Sequence, residues 1–240
     1  MQVNEVGKWI EYNITFLPEI LEWKKFAFLP NEAKAWEKLN FTPEQAKKWK
    51  EYGFTSQKAN KWRQLKFTPT EAKEWDKYFF PPEEAKKWKN MNISAQDAIK
   101  WQKISINPEN ASLFRQEKIN YLQVLKYLKK DIPVHYILKF IKLNISPKEI
   151  TKWIEYNFTY DDIIKWKKTG FSCEEANEWI KTGFTVIFAK EWKNLNINPH
   201  YAIKFEQQGI GPTKILKYLK QGFSIDSIYK EIVLDLDKEN

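Results

Sequence analysis

The chain has 240 residues, with 40 Lys+Arg against 31 Asp+Glu (net charge +9), 12 Trp, one Cys and two His. One Cys excludes an internal disulfide framework, and two His exclude a His-rich metal site. No apolar run reaches the ~20 residues of a membrane span, the first residues lack a basic-then-apolar leader, and 16% aromatic content argues against disorder.

In chain order, the first stretch is irregular. Trp9 stands one residue out of step with everything that follows. From Trp23 an aromatic recurs at every thirteenth position: Trp36, Trp49, Trp62, Trp75, Trp88 and Trp101, then Phe114, Tyr127 and Phe140, then Trp153, Trp166, Trp179 and Trp192, and last Phe205 and Tyr218. A fixed period of this kind marks a repeat architecture. Residues 1–39 read as N-terminal irregular and capping units, 40–221 as regular repeats, and 222–240 as a C-terminal cap with an acidic tail from Asp235, all in one array.

Numbering the unit from Asn40 as position 1 gives each position a role. Position 1 is Gly or Asn in ten of fifteen units, the residues that tolerate the left-handed conformation ending a helix. Position 3 is Ser, Thr or Asn in twelve of fifteen, which predicts helix N-caps. Position 4 is often Pro (Pro43, Pro69, Pro108, Pro147, Pro199), accepted in a first helical turn. Acidic or amide residues follow and complete capping boxes, as in Thr68-Pro69-Thr70-Glu71. Each unit is therefore one helix of about nine or ten residues plus a tight turn.

Apolar residues occupy positions 2, 7, 10 and often 13, a single helix stripe continued through the turn. A helix this short is unstable alone and must bury its aromatic against neighbouring units. Familiar α-solenoids alternate two kinds of helix. Here Trp, Lys and the Gly/Asn caps fall on odd and even units alike. The expected fold is an all-α, superhelical α-solenoid of 13-residue single-helix repeats, about seventeen helices related by one constant operation. Position 7 is Ala from Ala33 to Ala111, becomes Val124, Ile137, Ile150 and Ile163, and returns to Ala at Ala176. The larger residues accompany the smaller aromatics Tyr127 and Phe140, a volume-conserving exchange.

The unit Gly-Phe-Thr-(Pro)-Glu-Glu-Ala-x-x-Trp resembles 13-residue Trp-containing single-helix repeats of proteins of unknown function, as in arbuscular mycorrhizal fungi and some bacteria. The resemblance spans 27–234 and implies a fold, with no activity, cofactor or site residue to carry over.

Candidate chemistry is sparse. Cys173 sits at a helix start, where the dipole could lower a thiol pKa, but a nucleophile also needs a base and an orienting group. His135 and His200 both take position 5, five units apart, and read as exposed helix-start residues. Gly-rich phosphate loops, His-Glu-x-x-His and Cys-x-x-Cys are absent from the sequence. No enzyme activity, cofactor, metal or small-molecule substrate is expected. The lattice tryptophans read as core rather than as a base-stacking ladder.

Position 9 is the candidate surface. It is Lys in eleven of fifteen units, and Lys48, Lys61, Lys87, Lys100, Lys126, Lys139, Lys152 and Lys165 form the candidate partner-contact stripe. Residues 40–169 carry +11, with near-neutral ends. Two ordinary causes reduce the weight of this charge. Lys late in a helix suits the macrodipole, and Glu44–Lys48, Glu83–Lys87 and Asp161–Lys165 are i,i+4 pairs. Moreover, all but two of the cations, Arg63 and Arg115, are Lys. Lys, Ile, Asn, Phe and Tyr, all with A/T-rich codons, together supply more than two-fifths of the chain, so composition alone can make it lysine-rich. The reading this favours is an intracellular, non-enzymatic scaffold binding a protein or peptide along its surface. The alternatives are sequence-tolerant RNA or DNA binding through the Lys stripe, and a structural spacer that assembles end to end.

Overall fold

A computed structural model of the chain describes residues 3–234; the acidic tail expected over 235–240 lies outside the described residues. Among the described residues the chain is helical throughout, without a strand. It divides into two compact units, Met1–Tyr121 and Leu122–Asn240. The first contains α1 (Val3–Glu11), α2 (Leu17–Lys25), α3 (Pro30–Glu37), α4 (Pro43–Glu51), α5 (Ser56–Gln64), α6 (Pro69–Asp76), α7 (Pro82–Asn90), α8 (Ala95–Gln102) and α9 (Pro108–Gln116). α10 (Tyr121–Leu128) lies at the division. The second contains α11 (Val134–Lys142), α12 (Pro147–Glu155), α13 (Tyr160–Lys168), α14 (Cys173–Lys181), α15 (Val186–Asn194), α16 (Pro199–Gln207), α17 (Pro212–Lys220) and α18 (Ile225–Tyr229), followed by a π-helical turn, Lys230–Leu234. Eighteen helices among the described residues replace the expected seventeen because α1 forms ahead of the irregularity.

The helix boundaries follow from the caps. Most position-3 Ser, Thr and Asn side chains accept from the backbone N–H three residues on, as Thr42 does from Gln45 at 3.3 Å and Ser146 from Glu149 at 3.1 Å, whereas Thr185 makes no such bond. The return half of the box also forms, with the Thr68 N–H donating to Glu71 at 2.9 Å. At the other end every position-1 residue from Asn40 to Gly222 has positive φ, including Lys66, Phe79, Ser105, Lys118 and Asp131. The Asn40 N–H donates to Glu37 O at 2.8 Å and the Phe41 N–H to Trp36 O at 3.2 Å, the paired bonds of a Schellman turn. Gly53 and Gly170 have open space where a Cβ would stand, so glycine there answers to the dihedral and not to crowding. Asn13 and Ala27 are also left-handed, and their spacing places the extra residue between the first two turns.

The core is the stripe expected. Position 7 is buried throughout, from Ala33 to Ile228, and so are all the lattice aromatics from Trp23 to Phe205. Wherever a position-10 Trp is followed five residues on by Phe, the two rings meet edge-to-face, at 4.7–5.3 Å and 82–89°. That contact is the hydrophobic element of the Schellman turn, so one aromatic pair both ends the helix and fills the core. Within each unit, helices pack on the next and the next but one, as α3 does on α4 and α5, and α13 on α12 and α11. In the second unit the Tyr127 hydroxyl donates to Ile145 O at 2.9 Å across that longer step. The same contacts recur on odd and even repeats, which makes this an α-solenoid of equivalent single helices.

Candidate partner-contact surface

Successive helices are joined by a polar clasp at position 11. Lys50, Lys89, Lys167 and Lys193 each reach the Glu at position 6 of the preceding repeat: Glu32 at 2.8 Å, Glu71 at 2.6 Å, Glu149 at 2.8 Å and Glu175 at 2.9 Å. The same cation lies over the preceding position-2 ring, with Lys50 on Phe28, Lys89 on Phe67, Lys193 on Phe171, and Arg63 closest of all on Phe41 at 3.6 Å. It also binds the preceding turn carbonyl, from Arg63 to Asn40 O, Arg115 to Asn92 O and Lys193 to Gly170 O. Lys58 and Asp76 make the pair with charges exchanged, at 2.6 Å. The bond from Lys50 holds the Glu32 carboxyl below its ordinary value. At Glu71 and Glu175 burial pulls upward, and the bonds from Lys89 or Lys193 and from the N-cap backbone overcome it. The position-9 reading missed this clasp. Its signal was a pair of opposite charges at one fixed sequence separation, positions 6 and 11 of adjoining repeats, with the signs reversed once.

The candidate lysines stand one residue before each lattice aromatic, all exposed except the half-buried Lys100. Their charges are only partly free. Lys48 pairs with Glu44 at 2.9 Å, Lys100 with Asp97 at 3.0 Å, Lys165 with Asp162 at 3.8 Å, and Lys152 with Glu174 two repeats on. Lys139 lies 5.3 Å from the Tyr136 ring centre. Lys61, Lys87 and Lys126 have no ion-pair partner among the described residues. Of the three i,i+4 pairs expected, Glu44–Lys48 forms and Glu83–Lys87 does not. Asp161 instead accepts from the Tyr136 hydroxyl at 3.0 Å, which turns Lys165 to Asp162.

Three of these lysines line the same recurring depression. It is bounded by positions 6, 9 and 10 of one repeat, position 11 of the next, and the turn and helix start of the one after. Around Lys87 it holds Trp88, Gln102 and Pro108 in about 490 Å³; around Lys100, Trp101, Arg115 and Tyr121 in about 340 Å³; around Lys126, Tyr127, Ile141 and Pro147 in about 360 Å³. The equivalent near Trp36, about 470 Å³, has Ala35 in place of the lysine. Lys152 borders a different hollow with Lys130, Lys148 and Glu155.

Cys173 is buried, and desolvation pushes its thiol up to about 11, opposite to the lowering a helix dipole would produce. His135 and His200 are exposed beside Tyr136 and Tyr201. The described residues contain no cluster of three or more His, Cys, Asp or Glu able to hold a metal, and no helix long and apolar enough to cross a membrane. No family model, curated protein or solved structure matches this chain.

Proposed function

We propose that this chain is a non-enzymatic helical-repeat scaffold that binds a protein or peptide partner along the depressions of its position-9 face. One observation carries the reading: the same shallow concavity recurs at equivalent repeats in both units with the same frame and different lining residues. Around Trp36, Trp88, Trp101 and Tyr127 the aromatic floor is retained, while position 9 is Ala35, Lys87, Lys100 or Lys126. A constant frame with variable lining is how repeat surfaces discriminate among ligands. The non-enzymatic part rests on Cys173, whose thiol stays protonated at neutral pH, the reverse of an activated nucleophile. That free buried cysteine also suits an intracellular, reducing compartment. We place the chain beside the Trp-containing 13-residue repeats by its register alone.

The test is site-specific photo-crosslinking. A benzophenone side chain placed at 87, 100 or 126 in the full chain is expected to give discrete protein adducts, and one at the outward Lys73 none. Adducts to nucleic acid in place of protein, or equal labelling from Lys73, would overturn the proposal.

A further inference from the structure

The position-11 cation takes a carboxylate where position 6 of the preceding repeat is Glu, as Lys50, Lys89, Lys167 and Lys193 do. Arg115 on α9 occupies this position, but the residue opposite is Asp97, one methylene shorter. Lys100 on the same helix as Asp97 binds that carboxylate at 3.0 Å, the Ser94 hydroxyl also donates to it, and the bond from Lys100 holds its pKa below the ordinary value. Arg115 therefore keeps the backbone part of the clasp alone, Nη1 to Asn92 O at 2.8 Å. Arg63, the other arginine, faces a position-6 residue that is not acidic, Gln45. Its guanidinium is satisfied by Asn40 O, Leu39 O and Asn60.

Lys118 adds a second cation. It takes position 1 of its repeat at φ +59, where most units have Gly or Asn, and its side chain is exposed without an ion-pair partner among the described residues. Arg115 and Lys118 thus border one depression of about 340 Å³ whose walls are Trp101, Ile119 and Tyr121. Asp97 is the one carboxylate among its lining residues and also feels the Arg115 charge, so against Lys100, Arg115 and Lys118 the depression keeps a cationic excess over an aromatic floor.

We propose that this depression receives an acidic side chain, Glu or Asp, from a peptide segment of the partner. The carboxylate binds the Arg115 fork, making there the bond that Glu supplies to the position-11 cation elsewhere in the chain, and Lys118 closes on it from the turn. The methylenes of the acidic residue lie on Trp101 and Tyr121. A carboxylate is the group that the position-11 cation binds elsewhere in this chain, and it is the one assigned here. This assignment rests on the peptide-binding reading above and specifies its chemistry.

The test titrates the isotope-labelled full chain at low salt with octaglutamate, octaglutamine and an oligothymidylate of equal length, following the backbone amides. Octaglutamate is expected to shift amides of 115–121, and octaglutamine to shift none. Arg115→Gln and Lys118→Asn, the second keeping a residue that tolerates positive φ, each weaken binding by about fivefold to tenfold. Lys73→Gln leaves it unchanged. Because the Lys118 side chain is exposed, its variant keeps the core intact and decides the outcome even if Arg115→Gln unfolds. Equal weakening by Lys73→Gln, shifts spread over other lysines, or tighter binding of oligothymidylate at 115–121 would overturn the proposal. If octaglutamate does not bind while the crosslinks at 87, 100 and 126 still form, the acidic assignment falls and the scaffold reading stands.

Discussion

Phe79 offers a measurable conflict between residue and position. It sits in the left-handed turn between α6 and α7 at φ +62, and 93% of its surface is exposed. The turn demands this dihedral, because the Phe79 N–H donates to Asp76 O at 2.9 Å while the next N–H closes on Trp75 O. An L-residue there costs about 1–2 kcal/mol that glycine does not incur, and almost no burial of the ring offsets it. Glycine returns part of the gain through the unfolded chain, about 0.4–1 kcal/mol. Phe79→Gly should therefore stabilise the chain by about 1 kcal/mol, a rise of roughly 2–4 °C in the thermal midpoint for a chain of this size. Gly53→Ala is the mirror experiment. Nothing lies within 4 Å of the added Cβ, so a loss of about 1 kcal/mol would be conformational and not steric. Both are read by denaturant and thermal midpoints followed by circular dichroism. A Phe79→Gly variant no more stable than the parent would refute the reasoning, since it would mean that the exposed ring contributes packing energy the turn geometry conceals.

Three further outcomes follow from the clasp and from the buried thiol. Lys58→Glu and Asp76→Lys should each destabilise by about 0.5 kcal/mol, and the double exchange, which gives the orientation of the other repeats, should recover most of it; strict additivity in the double-mutant cycle would count against a direct pair. Glu32, Glu71 and Glu175 have carboxyls held below the ordinary 4.5, so their contribution is present at neutral pH and is lost as pH falls through their folded-state values. Lys193→Met should accordingly lower the urea midpoint at pH 7, with a smaller difference from the parent at pH 3; an undiminished difference would assign the loss to packing on Phe171. Cys173 should resist thiol reagents at pH 8 in the native chain and react fully in denaturant. Rapid native labelling would contradict its burial.

The parts of this protein legible in its sequence are those whose partners lie within the same helix or its adjoining turn. Thr42 caps Gln45, Asn40 turns left-handed, and Trp36 meets Phe41 inside one turn of chain, so composition at each position names the local structure directly. The core followed for the same reason, since a nine-residue helix with one apolar stripe has a single face to bury. The candidate surface was read less well. Seven of the eight candidate lysines are exposed, yet three of the eight border a depression completed by chain one to two repeats away, as the half-buried Lys100 does with Arg115, Lys118 and Tyr121. The expected i,i+4 partners held only at Glu44–Lys48: Asp161 lies one helical turn from Lys165 but is held by Tyr136 from two repeats earlier.

Sequence alone therefore determined the repeat, its helices, its left-handed turns and the identity of its core. The tertiary structure decided how each helix lies on the next, and with it the clasp from Lys50 to Glu32, the Arg115 guanidinium held by the Asn92 carbonyl, and the concavity beside it. The physical reason is that caps and turns are set by bonds along the chain. The angle between successive helices is set by how the Trp and Phe rings fill the space between them, a packing result that no single unit contains.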